Sequence, residues 1–265
     1  MASGDGLGEQ LPKSIPKNEQ VEEKMVNSVR EFMQAVFEHT EARASSDRIL
    51  YRGQRYSDEL LPKLFRNWEG DLTILLEEEA RVFSEFKTIA PFLQPSRIDT
   101  DWNWLSVGQH HGIPTRLLDW SANPLVALFF ALEDDRDEAS AVWCYEFTGS
   151  QLVDPADKRE SPFEQGATKI FRPSAHSIRV TLQAGWHSVH RIHDDRLRPL
   201  ERMSYHRKQL LKLVVPENRG SAVLAELEAM GISTLTVYPD LVSVGLNLGR
   251  QSRRRIREAR AQQKF

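Results

Sequence analysis

Cysteine is nearly absent from this 265-residue chain, with Cys144 the only one. An intramolecular disulfide is therefore excluded, and a lone thiol agrees with a reducing, cytoplasmic setting. Long apolar runs are missing too: no window approaches about 18 uninterrupted apolar residues, so no membrane-spanning helix is expected. The opening stretch MASGDGLGEQLPKSIPKNEQ lacks the basic-then-apolar order of a secretion signal. It is rich in Gly, Ser, Pro and Lys, and residues 1–20 are expected to be disordered. Glycine-rich phosphate loops closed by Lys-Ser/Thr, G-x-S-x-G elbows, H-E-x-x-H pairs and paired-cysteine zinc patterns are absent. That argues against P-loop NTPases, serine hydrolases and the common zinc enzymes.

What is present describes a globular protein, with 40% hydrophobic and 28% charged residues. The net charge of -3 is unevenly spread. The final stretch RQSRRRIREARAQQKF carries seven basic residues against Glu258, which leaves the remainder of the chain near -9. Such a tail suits nucleic acid or an acidic protein partner, or is simply a solvated end.

Apolar positions 25, 29, 32, 33 and 36 recur at helical spacing between Val21 and Thr40. RILYRGQ reads as a short strand ending at a glycine. A second amphipathic helix spans DLTILLEEEARVFSEFKTIAPFL, with Asp71 as its cap and Pro91 near its stop. TDWNWLSVGQHHG reads as a helix that ends at Gly112. Asn123 and Pro124 fit the cap and first position of the next helix, PLVALFFAL, which is apolar on every side and so belongs at the centre of the core. SAVWCYEF reads as a strand, residues 150–175 as a loop-rich section, and IRVTLQAGWHSVH as containing a further strand. QLLKLVVP, GSAVLAELEAMG and ISTLTVYP form a strand–helix–strand unit, with Gly231 stopping the helix. The expected architecture is α+β: a single mixed or antiparallel-sheet domain over residues 21–249 around a central buried helix, followed by a basic tail over 250–265.

Three segments carry candidate chemistry. In YRGQR, Arg52 offers a planar fork suited to phosphate or carboxylate, and Gly53 would let a ligand approach the backbone. In QHHGIPTRLLDW, Gly112 and Pro114 hold His110, His111, Arg116 and Asp119 on a rigid turn. An imidazole, a guanidinium and a carboxylate together suit proton transfer or anion binding. The same residues also suit a structural role, with Arg116 paired to Asp119 and Asp119 helping to cap the apolar helix. Further on, His187, His190 and His193 recur every three residues. On a helix they would share one face, whereas on a strand His190 would point to the opposite side, and no metal is expected.

The pieces YRGQ (51–54), WLSVGQHHGIPTRLLDWSANPLVALFFAL (104–132), QAGWHSVH (183–190) and LEAMGISTLTVYPDL (227–241) resemble, in order, the motifs of the FRG-domain family. His111 replaces that family's usual aromatic, and His187 stands where it has Phe. Members occur in bacterial and phage proteins, some linked to defence or toxicity. A looser similarity joins the Tyr-Arg-Gly strand to ADP-ribosyltransferases, whose corresponding arginine holds the pyrophosphate of NAD.

The resemblance implies an ADP-ribosyltransferase-like fold that binds NAD and transfers or hydrolyses its ADP-ribose. Nucleotide contacts would come from Tyr51, Arg52, Gly53, Gln54, Gln109 and Arg116, and catalysis from His110, Asp119 and Gln183. Such enzymes use a Glu on a late strand where this chain supplies Gln183. Asp119 or Glu79 could serve instead if the fold brings either beside Arg52. The alternative is a non-catalytic module that recognises nucleic acid or a protein partner.

Overall fold

Asn123 accepts hydrogen bonds from the backbone N–H groups of Leu125 and Val126 at 3.0 and 3.4 Å. With Pro124 in the first helical position, the apolar run that follows is launched as a helix (α4, Pro124–Leu132). Val126, Ala127, Leu128 and Phe129 are almost wholly buried in it. The remaining architecture is arranged around this helix and the strand beneath it.

The computed structural model describes residues 20–42, 48–93, 98–134, 138–157, 160–174, 178–192 and 198–262. The expected disorder of residues 1–20 falls outside these, apart from Gln20. In chain order the elements are β1 (Glu22–Met25), α1 (Val29–Glu41), β2 (Ile49–Arg55), α2 (Leu72–Ile89), α3 (Asp101–His110), β3 (Leu117–Ser121), α4, β4 (Ser140–Glu146), β5 (Lys169–Phe171), α5 (Ile178–Leu182), β6 (Gly185–Val189), α6 (Ser204–Arg207), β7 (Leu210–Val215), α7 (Gly220–Ala229), α8 (Thr234–Val237) and α9 (Leu241–Gln262). The strands form one seven-stranded open sheet in the order β1-β7-β4-β2-β3-β6-β5. The β1–β7 pair is parallel and every other pair antiparallel. The chain is therefore a mixed α+β fold with a single open mixed sheet. Among the described residues no helix is long and apolar enough to cross a membrane.

Alternation along the strands sorts the core into layers. On one face Tyr51, Val142, Cys144, Leu211 and Leu213 pack beneath α1, α4 and α7. The same face continues across β3, β6 and β5, where Leu117, Val189 and Phe171 pack instead under Trp102 and Leu105 of α3. The opposite face carries Leu50, Leu118, Trp120, Trp143 and Tyr145. Two helical groups thus cover one face side by side, and the line between them runs above the junction of β2 and β3.

That junction is thin. β2 pairs with β4 at all seven positions from Ile49 to Arg55, yet with β3 only where Tyr51 meets Ser121. On its other side β2 is pressed against α4. A Cβ added at Gly53 would stand 1.8 Å from the carbonyl oxygen of Ala127 and 2.6 Å from the nitrogen of Ala131, both backbone atoms. Gly53 is therefore required by helix–strand packing, a different reason from the ligand approach anticipated for it.

Several elements differ from expectation. The helix expected over Val21–Thr40 begins only at Val29, because Ser28 caps it through the N–H of Glu31, while Glu22–Met25 is captured as an edge strand by β7. LLDWS, unassigned by periodicity, is β3. ISTLTVYP contains the short helix α8, started by a capping box between Ser233 and Thr236. The boundary expected at 249/250 falls inside α9, which runs unbroken through the basic segment. Gly112 and Gly231 do end α3 and α7, with φ of 96° and 84°.

Gly53→Ala should lower stability by about 3 kcal/mol or more, since backbone atoms cannot yield as a flexible side chain can. Urea denaturation measures this, and an unchanged midpoint would refute the close approach.

Candidate functional site

Where the two helical groups part, a cavity of about 340 Å³ opens above the β2–β3 junction. It lies within the size range of small-molecule sites. β2 contributes Tyr51, Arg52 and Gly53 to its lining, and α3 contributes Ser106, Gln109 and His110. Asp119, Trp120 and Ser121 come from β3, Phe130 from α4, and Trp186 and His187 from β6. Arg179, Gln183 and Tyr238 complete one wall. Segments far apart in sequence meet here because β3 carries its neighbours from α3 on one side and from β6 on the other.

Arg52 crosses the thin junction. Its Nη1 donates to the backbone carbonyl of Asp119 at 2.7 Å, and its Nε donates to Gln54 Oε1 at 2.9 Å. The guanidinium thus takes a backbone acceptor of β3 beside the single Tyr51–Ser121 pairing. Burial pulls its pKa down to about 10, partly opposed by Asp119. It stays fully charged at neutral pH.

Asp119 faces His187 directly across the β3–β6 pair. Asp119 Oδ1 lies 3.1 Å from His187 Nδ1 and also accepts a hydrogen bond from Gln109 Nε2. Gln109 is itself fixed by accepting from Thr115 Oγ1. The Asp119 side chain nevertheless remains 60% exposed, so its carboxylate is open to the cavity. Desolvation would raise its pKa, but His187, Arg52 and Gln109 together hold it below the ordinary carboxylate value. His187 Nε2 in turn is 2.8 Å from Ser106 Oγ.

His110 lies at the end of α3, its pKa lowered by burial and by the charges of Arg179 and His111. A neutral imidazole is thus favoured there near pH 7. Gln183 spends Nε2 on the carbonyl of Val237 at 3.2 Å, and its backbone carbonyl accepts from Ser121 Oγ at 2.7 Å. Arg179 stacks over the Tyr238 ring, 4.4 Å from its centroid, and its buried Nε has no hydrogen-bond partner among the described residues.

Of the residues expected from sequence, Tyr51, Arg52, Gly53, Gln109, His110, Asp119 and Gln183 share this cavity. Gln54 and Arg116 do not line it. Gln54 orients Arg52 from behind while donating to the carbonyl of Asp58. Arg116 immediately precedes β3 and turns away, into a buried pair with Glu79 of α2. Its Nε is 3.0 and 2.9 Å from the two Glu79 carboxylate oxygens, and its guanidinium lies over the Phe163 ring. The expected Arg116–Asp119 pairing is replaced by this one, and Glu79 is thereby removed as a candidate acid beside Arg52.

Ser106, Arg179, Trp186 and Tyr238 were not expected in the site. Arg179 lies four residues before Gln183, and the QAGWHSVH motif alone gave no reason to look upstream of it. Just after β6, His190 falls away from His187, hydrogen-bonded at 3.2 Å to Ser188, with burial pushing its pKa down to about 3. His193 lies outside the described residues. Among the described residues no three His, Cys, Asp or Glu side chains are grouped to hold a metal.

A family model described as the FRG domain matches residues 47–140, a span that contains β2, α2, α3, β3 and α4. No curated protein and no solved structure matches the chain.

Glu79→Ala should cost about 3–5 kcal/mol by leaving a buried guanidinium unpaired. Replacing both partners, as Glu79→Leu with Arg116→Met, should recover most of that loss in urea denaturation. A neutral effect of the single change would contradict the structural role of the pair.

Proposed function

We propose that this chain, which carries an FRG domain, binds NAD in the cavity between α3 and α4 and cleaves the bond between nicotinamide and ribose. The ADP-ribose passes to water or to an acceptor. One observation carries the reading: two guanidinium groups, Arg52 and Arg179, share a small cavity with an ionised, solvent-accessible carboxylate, Asp119. Guanidinium groups match the oxygens of a pyrophosphate, and a fixed arginine loses little freedom in binding one. The aromatic walls at Phe130 and Tyr238 suit a flat ring.

As the ribose–nicotinamide bond breaks, its electron pair stays on the pyridine nitrogen and positive charge develops at C1′. Asp119 would stabilise that charge, in the role that a late-strand glutamate fills in ADP-ribosyltransferases, while Glu133, the other carboxylate lining the cavity, accepts from the Tyr238 hydroxyl. Gln183 Oε1, which accepts no hydrogen bond among the described residues, can take a ribose hydroxyl, and neutral His110 can accept a proton. Purified protein, with and without bacterial lysate, should consume NAD and release nicotinamide. Arg52→Ala and Arg179→Ala should each reduce the rate by about 10²–10³-fold. Intact NAD under every condition, with the protein folded, would overturn the proposal.

A second reading, nucleic-acid binding, is favoured by α9, where Arg253, Arg255 and Arg260 are exposed on one 22-residue helix. Three phosphate contacts would give a log–log salt slope of about -3 for duplex binding. Deleting residues 250–265 should abolish that binding, and salt-independent affinity would refute it.

A further inference from the structure

Ser106, His187 and Asp119 stand in a chain that the NAD reading does not use as a unit. Ser106 Oγ is 2.8 Å from His187 Nε2, and His187 Nδ1 is 3.1 Å from Asp119 Oδ1. All three line the same cavity. The Nδ1 contact is close but not aligned as a hydrogen bond, so Asp119 acts on His187 through its charge; a carboxylate beside Nδ1 favours the tautomer with its proton there, which leaves the Nε2 lone pair facing the serine hydroxyl. Hydroxyl, base and orienting acid in this order are the arrangement by which a serine is made nucleophilic, recognised by geometry and not by sequence position.

The arrangement is braced. Gln109 Nε2 donates to the same Asp119 oxygen, and Thr115 fixes Gln109 in turn. The His187 ring packs against Phe171, 5.2 Å between centroids, and only 10% of its side chain is exposed. Ser106 lies on α3, whose inward residues Trp102 and Leu105 are locked in the core over β3, so its hydroxyl is held by a rigid element.

We propose that Ser106 is the nucleophile of this cavity, with His187 as its base and Asp119 orienting His187, and that it bonds to the electrophilic carbon of the bound substrate. Only the identity of that carbon, ribose C1′, rests on the NAD reading. The Ser106 Oγ–C1′ bond forms as the C1′–nitrogen bond breaks, the electron pair leaving with neutral nicotinamide. The serine proton passes to His187 Nε2 and then to solvent. Water next attacks C1′, the C1′–Oγ bond breaks, and a proton from the water returns to Oγ through His187. The sum is NAD and water giving nicotinamide, ADP-ribose and one proton.

The test separates the two readings. The full chain is treated with a fluorophosphonate probe, which needs an activated serine but no nucleotide, and the modified residue is located by mass spectrometry. Labelling at Ser106 is expected, with none at that position in Ser106→Ala and a rate about 10²–10⁴-fold lower in His187→Phe. The Ser106→Cys variant checks the same relay without a phosphonate. Its new thiol should be alkylated by iodoacetamide faster than an ordinary cysteine, while Cys144 is buried with its thiol pushed well up and stays unreactive. A parallel incubation with NAD should add one ADP-ribose at Ser106. Fluorophosphonate labelling without an NAD adduct or NAD loss would uphold the relay and overturn the NAD reading. A folded protein with no label at Ser106 and ordinary thiol reactivity in Ser106→Cys would overturn the relay, whatever happens to NAD.

Discussion

The hydrogen bond from Arg52 Nη1 to the Asp119 carbonyl ties two parts of the sheet that the backbone barely joins. On one side, β2 is fixed by seven pairings with β4 and by contact so close with α4 that only glycine fits at position 53. On the other, β3 is fixed by β6 and by α3. A junction of one residue pair leaves room for a cavity, and a charged side chain placed across it keeps the two walls in register. Arg52 also lines the cavity, so the residue that closes the sheet stands beside whatever enters. The structural role and the proposed functional one would fall on one residue, so a loss of activity in an Arg52 variant is informative only beside a measurement of folding.

Helix starts and stops were legible because they depend on neighbours in sequence: Asn123 and Pro124 before α4, Asp71 before α2, Gly112 and Gly231 after α3 and α7. Pairing between distant segments was not. Glu22–Met25 continues a helical apolar pattern on paper and becomes a strand because β7 offers an open parallel edge. LLDWS shows little alternation, since Leu117 and Leu118 are buried on opposite faces of the sheet. Thr234–Val237 is rich in β-branched residues, yet a local capping box outweighs that propensity.

The candidate site divides along the same line. Arg52, His110 and Asp119 announced themselves as polar residues in unusually patterned runs, and the fold brings them into one cavity. Arg116 sits in the densest of those runs and is turned away from it, because a buried guanidinium needs a carboxylate and α2 supplies Glu79. Ser106 had no local signature, as it is one small residue among the apolar and aromatic residues of α3. Its meeting with His187 depends on how α3 crosses β6, which no spacing within either segment reveals. The missing G-x-S-x-G elbow excludes one way of exposing a serine, not the geometry itself.

Amide hydrogen exchange, with and without ADP-ribose, measures most directly whether the crevice above the β2–β3 junction is the binding site. Binding there predicts slower exchange in β3, in β6 and around Arg52, where the ligand would hold the junction closed, and little change in α9. Exchange unaltered around that junction, or protection confined to α9, would contradict the account.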